Sequence, residues 1–224
     1  DQFGVDYTEG DRDYSDELEF GLGYGNITST LRWNHLFNNK LFSNTTFTYS
    51  RYAFDTDFGI NSITNNDNYN IGFGYISGIE DYAGRIDFDY SPNPIHNVKF
   101  GFSYTNHHFF PGETSLSLNF STSDSIENFS LDTLLNFSEN INAQEMFLYI
   151  EDNVKITDRL KANVGMHTGY YSLDGMSIQP RFSARYLLNE NSSLKLSYAA
   201  MKQNIHLLSN SSVGFPSDLW LPAI

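Results

Sequence analysis

The feature that most limits what this chain can fold into is a two-residue period in its hydrophobic pattern. In residues 98–105 every second side chain is apolar, and the side chains between them are small or polar. The pattern recurs at residues 160–171, 177–188 and 193–202. Successive side chains of a β-strand point to opposite faces of a sheet, whereas a helix brings together residues three and four apart. The alternation therefore predicts an all-β chain.

The connections between these strands fall into two populations. The short ones carry the Asn, Asp and Pro residues of tight turns, and they are residues 38–40, 91–96, 157–159 and 189–192. The long polar ones are expected to be loops, at residues 1–15, 55–67, 107–142 and 206–224, with a shorter one near 173–175. Short and long connections mostly take turns, which predicts an antiparallel meander. We expect about eight strands, each longer than the roughly 9–11 residues with which a strand crosses a bilayer.

Two segments keep alternating but change parity once. The apolar residues are even-numbered before Gly25-Asn26 and odd-numbered after it, and a second change lies between Tyr75 and Ile86. One extra residue in a strand, a β-bulge, produces such a change. We therefore predict long bulged strands at both places, because hairpin turns there would break the order of short and long connections.

The composition of the chain limits the class of protein that such strands can form. The 224 residues include 13 basic and 27 acidic ones, for a net charge of −14. A groove that binds nucleic-acid phosphates needs the opposite sign, so no nucleic-acid partner is expected. The chain has no cysteine, which excludes disulfides and Cys-ligated zinc. No apolar run approaches the ~18 residues of a transmembrane helix, although 16% of the residues are aromatic.

A soluble barrel and a membrane barrel share this alternation with their faces exchanged. Three features favour the membrane version. The polar faces are rich in Gly, Ser, Thr and Asn instead of dense Lys and Glu, and the strands exceed the five or six residues usual in globular sheets. Aromatic residues also lie close to the short turns, where an interfacial girdle would form: Phe37, Phe42, Tyr90 and Tyr186. An antiparallel transmembrane β-barrel segment is therefore predicted, with short periplasmic turns and long extracellular loops.

Residues 178–223 contain an IHLLSNS segment followed by Pro216 and the sequence DLW. This tripartite pattern resembles the barrel of TonB-dependent receptors in the form common among Bacteroidetes, and residues 25–52 and 87–112 look like the same family. The resemblance implies a 22-stranded barrel in the outer membrane of a Gram-negative bacterium, plugged by an N-terminal domain. The barrel would import a scarce nutrient (an iron–siderophore complex, glycan, vitamin or peptide) with energy from TonB, ExbB and ExbD.

Residues 1–224 would then be part of such a barrel domain, without the plug domain or the remaining strands, and we expect the chain to be an excised or truncated piece. Outer-membrane lipid and a surface lipoprotein are further candidate partners. The alternatives are a passive porin or a surface-binding barrel protein. No catalytic site is predicted, since His167 with a neighbouring Ser is the one conceivable start and no nucleophile motif accompanies it.

Several charged residues are candidates for binding roles. His107 and His108 could ligate a metal, but no third ligand is suggested, so we expect one His in the lumen and the other at the interface. An acidic cluster could bind calcium but lacks the EF-hand order and fits a solvated loop: Asp6, Glu9, Asp11, Asp13, Asp16 and Glu17. Paired lumen charges are expected for Arg85, Asp87, Asp89, Arg181 and Arg185. No metal or cofactor is predicted.

Residues 206–224 are too apolar for an ordinary solvated loop. We expect this segment to fold inward at the extracellular end and bury Trp220, with one helical turn beginning at Ser217 and Asp218. The candidate extracellular vestibule consists of His107, His108, His206, Asp218 and Trp220.

Overall fold

The computed structural model describes residues 2–9, 12–64, 67–122, 129–136, 139–210 and 217–223. These residues form twelve β-strands: β1 (Gln2–Glu9), β2 (Arg12–Asn38), β3 (Leu41–Thr64), β4 (Asp67–Tyr90), β5 (His96–Ser121), β6 (Phe129–Asn136), β7 (Ile141–Lys155), β8 (Leu160–Tyr171), β9 (Gly175–Leu187), β10 (Ser193–Ala199), β11 (Ile205–Asn210) and β12 (Ser217–Pro222). The prediction of an all-β antiparallel chain is confirmed. Within the described ranges, no helix has the length and apolarity needed to cross a membrane.

Ten strands form one open sheet, in the order β1-β2-β3-β4-β5-β7-β8-β9-β10, with β6 beside β7 on the same edge of β5. Strands β11 and β12 form a separate hairpin. The expected hairpin around Asn38 and Asn39 is present as β2–β3. The prediction of about eight strands is too low, because β1 and β6 arise from segments expected to be loops.

Four segments predicted to be long loops are largely strand, and those predictions are wrong. Strand β3 continues to Thr64 and β5 continues to Ser121, and each pairs with its neighbours over that length. Residues 12–15 belong to β2, and β11–β12 occupies much of 206–224. A segment rich in Gly, Ser and Asp looks like a loop in the sequence, but neighbouring strands can still satisfy its backbone groups by pairing with it.

The short turns follow the predicted chemistry. In each turn an Asn or Thr side-chain oxygen accepts a hydrogen bond from a backbone N–H two residues ahead, at 2.8–3.2 Å, as in Asx and ST turns; the residues are Asn38, Asn93, Thr157 and Asn189. At the opposite rim, the shorter connection that the sequence predicts near residues 173–175 is present as a turn at residues 172–174. It ends at Gly175, whose φ of +80° lies in the left-handed region that favours glycine.

The two faces of the large sheet differ in chemistry. We call the face on which the β11–β12 hairpin packs the inner face, and the opposite one the outer face. From the short turns up to the neighbouring rings of Tyr49 and Tyr82, the outer face exposes apolar side chains, which we call the apolar belt: Leu31, Trp33, Phe47, Phe102, Leu148, Ile150, Val164, Met166, Ile178, Phe182, Leu194 and Leu196. Leu31 is 70% exposed. So much exposed apolar surface is typical of lipid contact, and the predicted outward direction of Val98, Phe100 and Phe102 is confirmed.

The first parity change has a cause other than the predicted bulge. Strands β2 and β3 pair without a shift from Tyr14 to Leu36, so the bulge expected at Gly25-Asn26 is absent. Instead the environment of the sheet changes. Beyond this point most apolar residues of β2 to β5 lie on the inner face, and the outer face carries glycines, the acidic residues Glu17, Glu19, Asp55 and Asp57, and the exposed Ile76. Lipid meets the outer face up to the row of Tyr49 and Tyr82, and water meets it beyond Gly25, so the apolar positions change sides.

Near the second parity change a bulge is present, but in the facing strand. Ile76 pairs with Glu113 and Gly78 pairs with Phe110, so β5 carries one more residue than β4 over this interval. Gly112, within the interval, has a φ of +132°, and a Cβ atom there would lie 2.5 Å from the ring of Tyr75. Only glycine suits both the backbone angle and the close approach.

Candidate functional site

The β11–β12 hairpin lies across the inner face of β3, β4 and β5, above the apolar belt. The predicted inward fold is therefore present, but the predicted helical turn at Ser217 and Asp218 is wrong. Asp218 pairs with Ser209 in an antiparallel ladder, which satisfies backbone groups that a helix cap would otherwise serve. Phe215 lies outside the described residues.

An apolar cluster on the sheet supports the hairpin. Its buried members come from β4, β5, β7 and β8, and they are Ile79, Phe109, Ala143 and Tyr171. Trp220 and Ile205 of the hairpin pack on this cluster, and the Trp220 ring meets the ring of Tyr52 edge-on, with centroids 5.9 Å apart. Trp220 is half-buried, and its indole Nε1 is buried with no hydrogen-bond partner among the described residues.

Two polar contacts hold the same hairpin through Asp218. The Tyr52 hydroxyl donates a hydrogen bond to the Asp218 carboxylate at 2.7 Å, and the Ser77 hydroxyl donates one to the Asp218 backbone oxygen. Burial and the bond to Asp218 raise the pKa of Tyr52 to about 12, so its hydroxyl keeps the proton that it donates. Asp218, a predicted vestibule residue, thus fastens the hairpin to the wall.

A chain of charged side chains fastens the start of the hairpin. Asn204 donates a hydrogen bond to Glu145 at 2.6 Å, and Glu145 lies 3.8 Å from Nε2 of His107. Nδ1 of His107 lies 2.7 Å from Asp81. His107 is only 3% exposed and lies one residue row above Tyr49 and Tyr82, outside the apolar belt. Burial alone would lower the pKa of His107, but the hydrogen bond to Asp81 and the ion pair with Glu145 outweigh it and raise the pKa to about 9.

The two adjacent histidines point to opposite faces of the sheet. His107 lies on the inner face, whereas His108 lies on the outer face and stacks on Phe110 with centroids 6.0 Å apart. This is the arrangement expected from the sequence, and it prevents both side chains from ligating one metal. His206 is exposed on the hairpin. The structure therefore brings Asp218 and Trp220 to the surface between the hairpin and the sheet, connects His107 to the base of the hairpin through Glu145 and Asn204, and leaves His108 apart.

The acidic cluster is described only in part. The side chains of Asp6, Glu9, Asp11 and Asp13 lie outside the described residues. Asp16 accepts a hydrogen bond from Ser62 at 2.6 Å. Within the described part of the chain, no three His, Asp or Glu side chains are grouped to hold a metal ion. Calcium binding by this segment stays the less favoured alternative that it was in the sequence analysis.

The inner-face charges inside the belt form paired networks. Arg85 bonds Asp87 at 2.7 Å, Tyr149 donates to Asp87 at 2.5 Å, and Nε2 of His167 lies 2.8 Å from Glu151. The expectation of paired lumen charges is confirmed for Arg85, Asp87, Asp89 and Arg181. It is wrong for Arg185, which has no ion-pair partner among the described residues. His167 is thus engaged with a carboxylate.

Sequence reasoning missed most anchors of the hairpin. Tyr52, Ser77, Asp81, Glu145 and Asn204 come from three strands and a loop, and no local motif marks them. The one available signal was that residues at matching odd or even positions of neighbouring strands lie on the same face of the sheet. That signal becomes informative only when the register of the strands is known.

A comparison with protein-family models gives the same family as the resemblance stated above. The family model described as TonB dependent receptor-like, beta-barrel matches residues 1–200. The siderophore receptor PirA from Pseudomonas aeruginosa is 13% identical, with a TM-score of 0.42, over 96% of this chain and 43% of that one. The outer membrane transporter YddB from Escherichia coli is 10% identical, with a TM-score of 0.38, over 88% and 37%. The chain therefore spans less than half the length of these two structures, and no curated protein matches it.

Proposed function

Because this chain belongs to the TonB-dependent receptor-like β-barrel family, we propose that residues 1–224 form part of the barrel of a receptor that takes up a scarce nutrient. Such barrels lie in the outer membrane of Gram-negative bacteria, which accounts for the apolar belt. The receptor binds its cargo at the cell surface and passes it to the periplasm, with energy from TonB, ExbB and ExbD through a plug domain. A surface lipoprotein is a further candidate partner.

The observation that carries this proposal is the hairpin held on the inner face above the belt. The part of β2 beyond the belt, residues 12–28, is roughly 55 Å long at ~3.3 Å per residue. The wall of the barrel therefore rises well above the lipid, and the hairpin narrows the space that the wall encloses. A narrowed mouth suits selective capture of a solute at the cell surface.

The sequence predicts a vestibule of His107, His108, His206, Asp218 and Trp220; His108 lies on the outer face, so the proposed vestibule keeps the other four, and their roles differ. Asp218, Trp220 and His107 hold the hairpin in place. His206 is exposed on the hairpin and is the member best placed to touch cargo. The proposed cargo belongs to one of four classes, which are ferric siderophores, glycans, vitamins and peptides.

A passive porin is the alternative, because an inward-folded segment would also constrict a diffusion pore. Energy dependence separates the two. Cells that carry the full-length receptor are given ferric siderophores, cobalamin, oligosaccharides and peptides in turn, with and without functional TonB. We expect one class to enter only when both receptor and TonB are present. Uptake that persists without TonB would establish the porin instead.

A matched pair of histidine variants tests the vestibule. His206→Ala should weaken surface binding of the accepted cargo about tenfold, which corresponds to the roughly 1.4 kcal/mol of one lost polar contact. His108→Ala should leave binding unchanged, because His108 lies on the outer face. Equal effects of the two substitutions would contradict the assignment of His206.

A further inference from the structure

Asp152 is a carboxylate on the lipid-facing side of the sheet. It lies on β7 directly opposite Val98 of β5 and Val164 of β8, and residues directly opposite each other share a face. Val164 belongs to the apolar belt and is 55% exposed. Among the described residues of β2 to β10, from the short turns up to the row of Tyr49 and Tyr82, the outer face carries no other Asp or Glu and no Lys or Arg. Asp152 is thus a lone carboxylate among apolar side chains.

The contacts of Asp152 within the chain leave its charge poorly compensated. Its Oδ2 lies 2.7 Å from Nδ1 of His96, the first residue of β5, which is on the same face. Its Oδ1 is buried and has no hydrogen-bond partner in the described part of the chain. A neutral imidazole can satisfy one oxygen by a hydrogen bond, but it does not cancel the negative charge. An ionisable side chain that faces lipid is costly and usually serves a function.

The depth of the pair in the membrane follows from its place on the strand. Asp152 lies three residues before Lys155, the last residue of β7, and is therefore ~10 Å from the short-turn rim at ~3.3 Å per residue. The short turns of such barrels lie on the periplasmic side. The headgroup layer of a bilayer is roughly 5–8 Å thick on each side. The pair thus lies near the level at which the headgroups of the periplasmic leaflet meet the hydrocarbon.

The chemistry of the pair indicates which group complements it. Calcium takes six to eight oxygen ligands, and the described residues contain no group of three His, Asp or Glu side chains that could hold a metal ion. A primary ammonium needs less, because its N–H groups form charge-assisted hydrogen bonds to a single carboxylate. When the amine belongs to a phospholipid, the acyl chains keep it at this depth. The His96 side chain is 41% exposed and has a second ring nitrogen that can meet the phosphate.

We propose that Asp152 and His96 form a binding site for one phospholipid of the periplasmic leaflet whose headgroup ends in a primary amine. The ammonium binds the Asp152 carboxylate, and the acyl chains lie on the exposed apolar side chains of Ile150 and Val164. The bound lipid supplies the positive charge that the sheet lacks at this position. This inference goes beyond nutrient uptake, because it concerns how the barrel is held in its membrane.

Native mass spectrometry of the full-length receptor tests the proposal. The protein is stripped of lipid in detergent and titrated with three synthetic phospholipids that share the same acyl chains. Phosphatidylethanolamine has the primary amine, phosphatidylcholine keeps the positive charge without N–H donors, and phosphatidylglycerol has no amine. We expect one phosphatidylethanolamine molecule to be retained at a concentration at least tenfold lower than either of the other lipids requires.

A matched pair of variants assigns the retained lipid to the site. Asp152→Asn keeps the shape of the side chain but removes its charge, and it should weaken retention of phosphatidylethanolamine at least tenfold. Asp158→Asn is the control, because Asp158 is 93% exposed in a turn at the same rim and should not affect retention. Heat-modifiable migration in electrophoresis shows which variants assemble.

Three results would each overturn the proposal: equal retention of the three lipids, preferred retention of phosphatidylglycerol, or unchanged retention in the assembled Asp152→Asn variant. The comparison of headgroups uses the wild-type protein, so it decides the question even if that variant does not assemble. The readout involves neither cargo nor TonB, so failure of the uptake proposal would leave this one intact.

Discussion

Replacing Trp220 with Ala should release the β11–β12 hairpin from the inner face. A fully covered Trp buries about 150–250 Å², and Trp220 is half-buried, so about 100 Å² of apolar surface leaves contact. At about 25 cal/mol per Å² this loss is about 2.5 kcal/mol. The edge-on contact with Tyr52 adds about 1 kcal/mol. Removing the unpartnered indole N–H offsets about 1 kcal/mol.

The net loss is therefore about 2–3 kcal/mol, which shifts the equilibrium between docked and released hairpin by roughly 30- to 150-fold. Protease treatment of intact cells measures this shift as faster cleavage within residues 204–223. Leu208→Ala is the matched control, because Leu208 lies in the same hairpin but is 56% exposed.

Equal cleavage of the two variants would refute the reasoning that Trp220 holds the hairpin. Unchanged cleavage together with lost cargo binding would show that Trp220 contacts the ligand directly. Faster cleavage with intact assembly, as judged by heat-modifiable migration, is the expected outcome.

Two further predictions concern the lipid boundary and pH. Leu148→Arg should lower the stability of the assembled barrel by about 2–4 kcal/mol, because Leu148 faces lipid. Ile76 is also apolar and exposed but lies above the belt, so Ile76→Arg should change the stability little. Refolding into lipid vesicles measures the stability of both variants, and equal losses would contradict the position of the lipid boundary. The pKa of His107 is raised to about 9. The stabilisation of the hairpin contact by protonated His107 is therefore complete below the ordinary pKa of about 6.5 and is lost as the pH rises through 9. Protease cleavage of the hairpin should increase over this interval in the wild type, and a His107→Gln variant that kept the same pH dependence would disprove the role of His107.

Local chemistry made several features of this protein readable from the sequence. Side-chain hydrogen bonds at Asn38, Asn93, Thr157 and Asn189 act over two residues, so each tight turn carries its own signal. Alternation of side chains is likewise a property of a single strand, and it predicted both the strands and the outward apolar face around Phe102. The IHLLSNS, Pro216 and DLW pattern indicated the family that the match to residues 1–200 confirms.

Only the tertiary structure decided how far the strands extend and what the faces meet. A β-bulge and a strand that leaves the lipid both move the apolar residues from one face to the other, so both produce the alternation seen around Gly25. The periodicity of the sequence records this change of face but not its cause. The contacts of Asn204 with Glu145 and of Tyr52 with Asp218 join residues 59 and 166 positions apart. Such contacts depend on the register of strands that are distant in sequence, and a shift of one residue would turn each side chain to the other face.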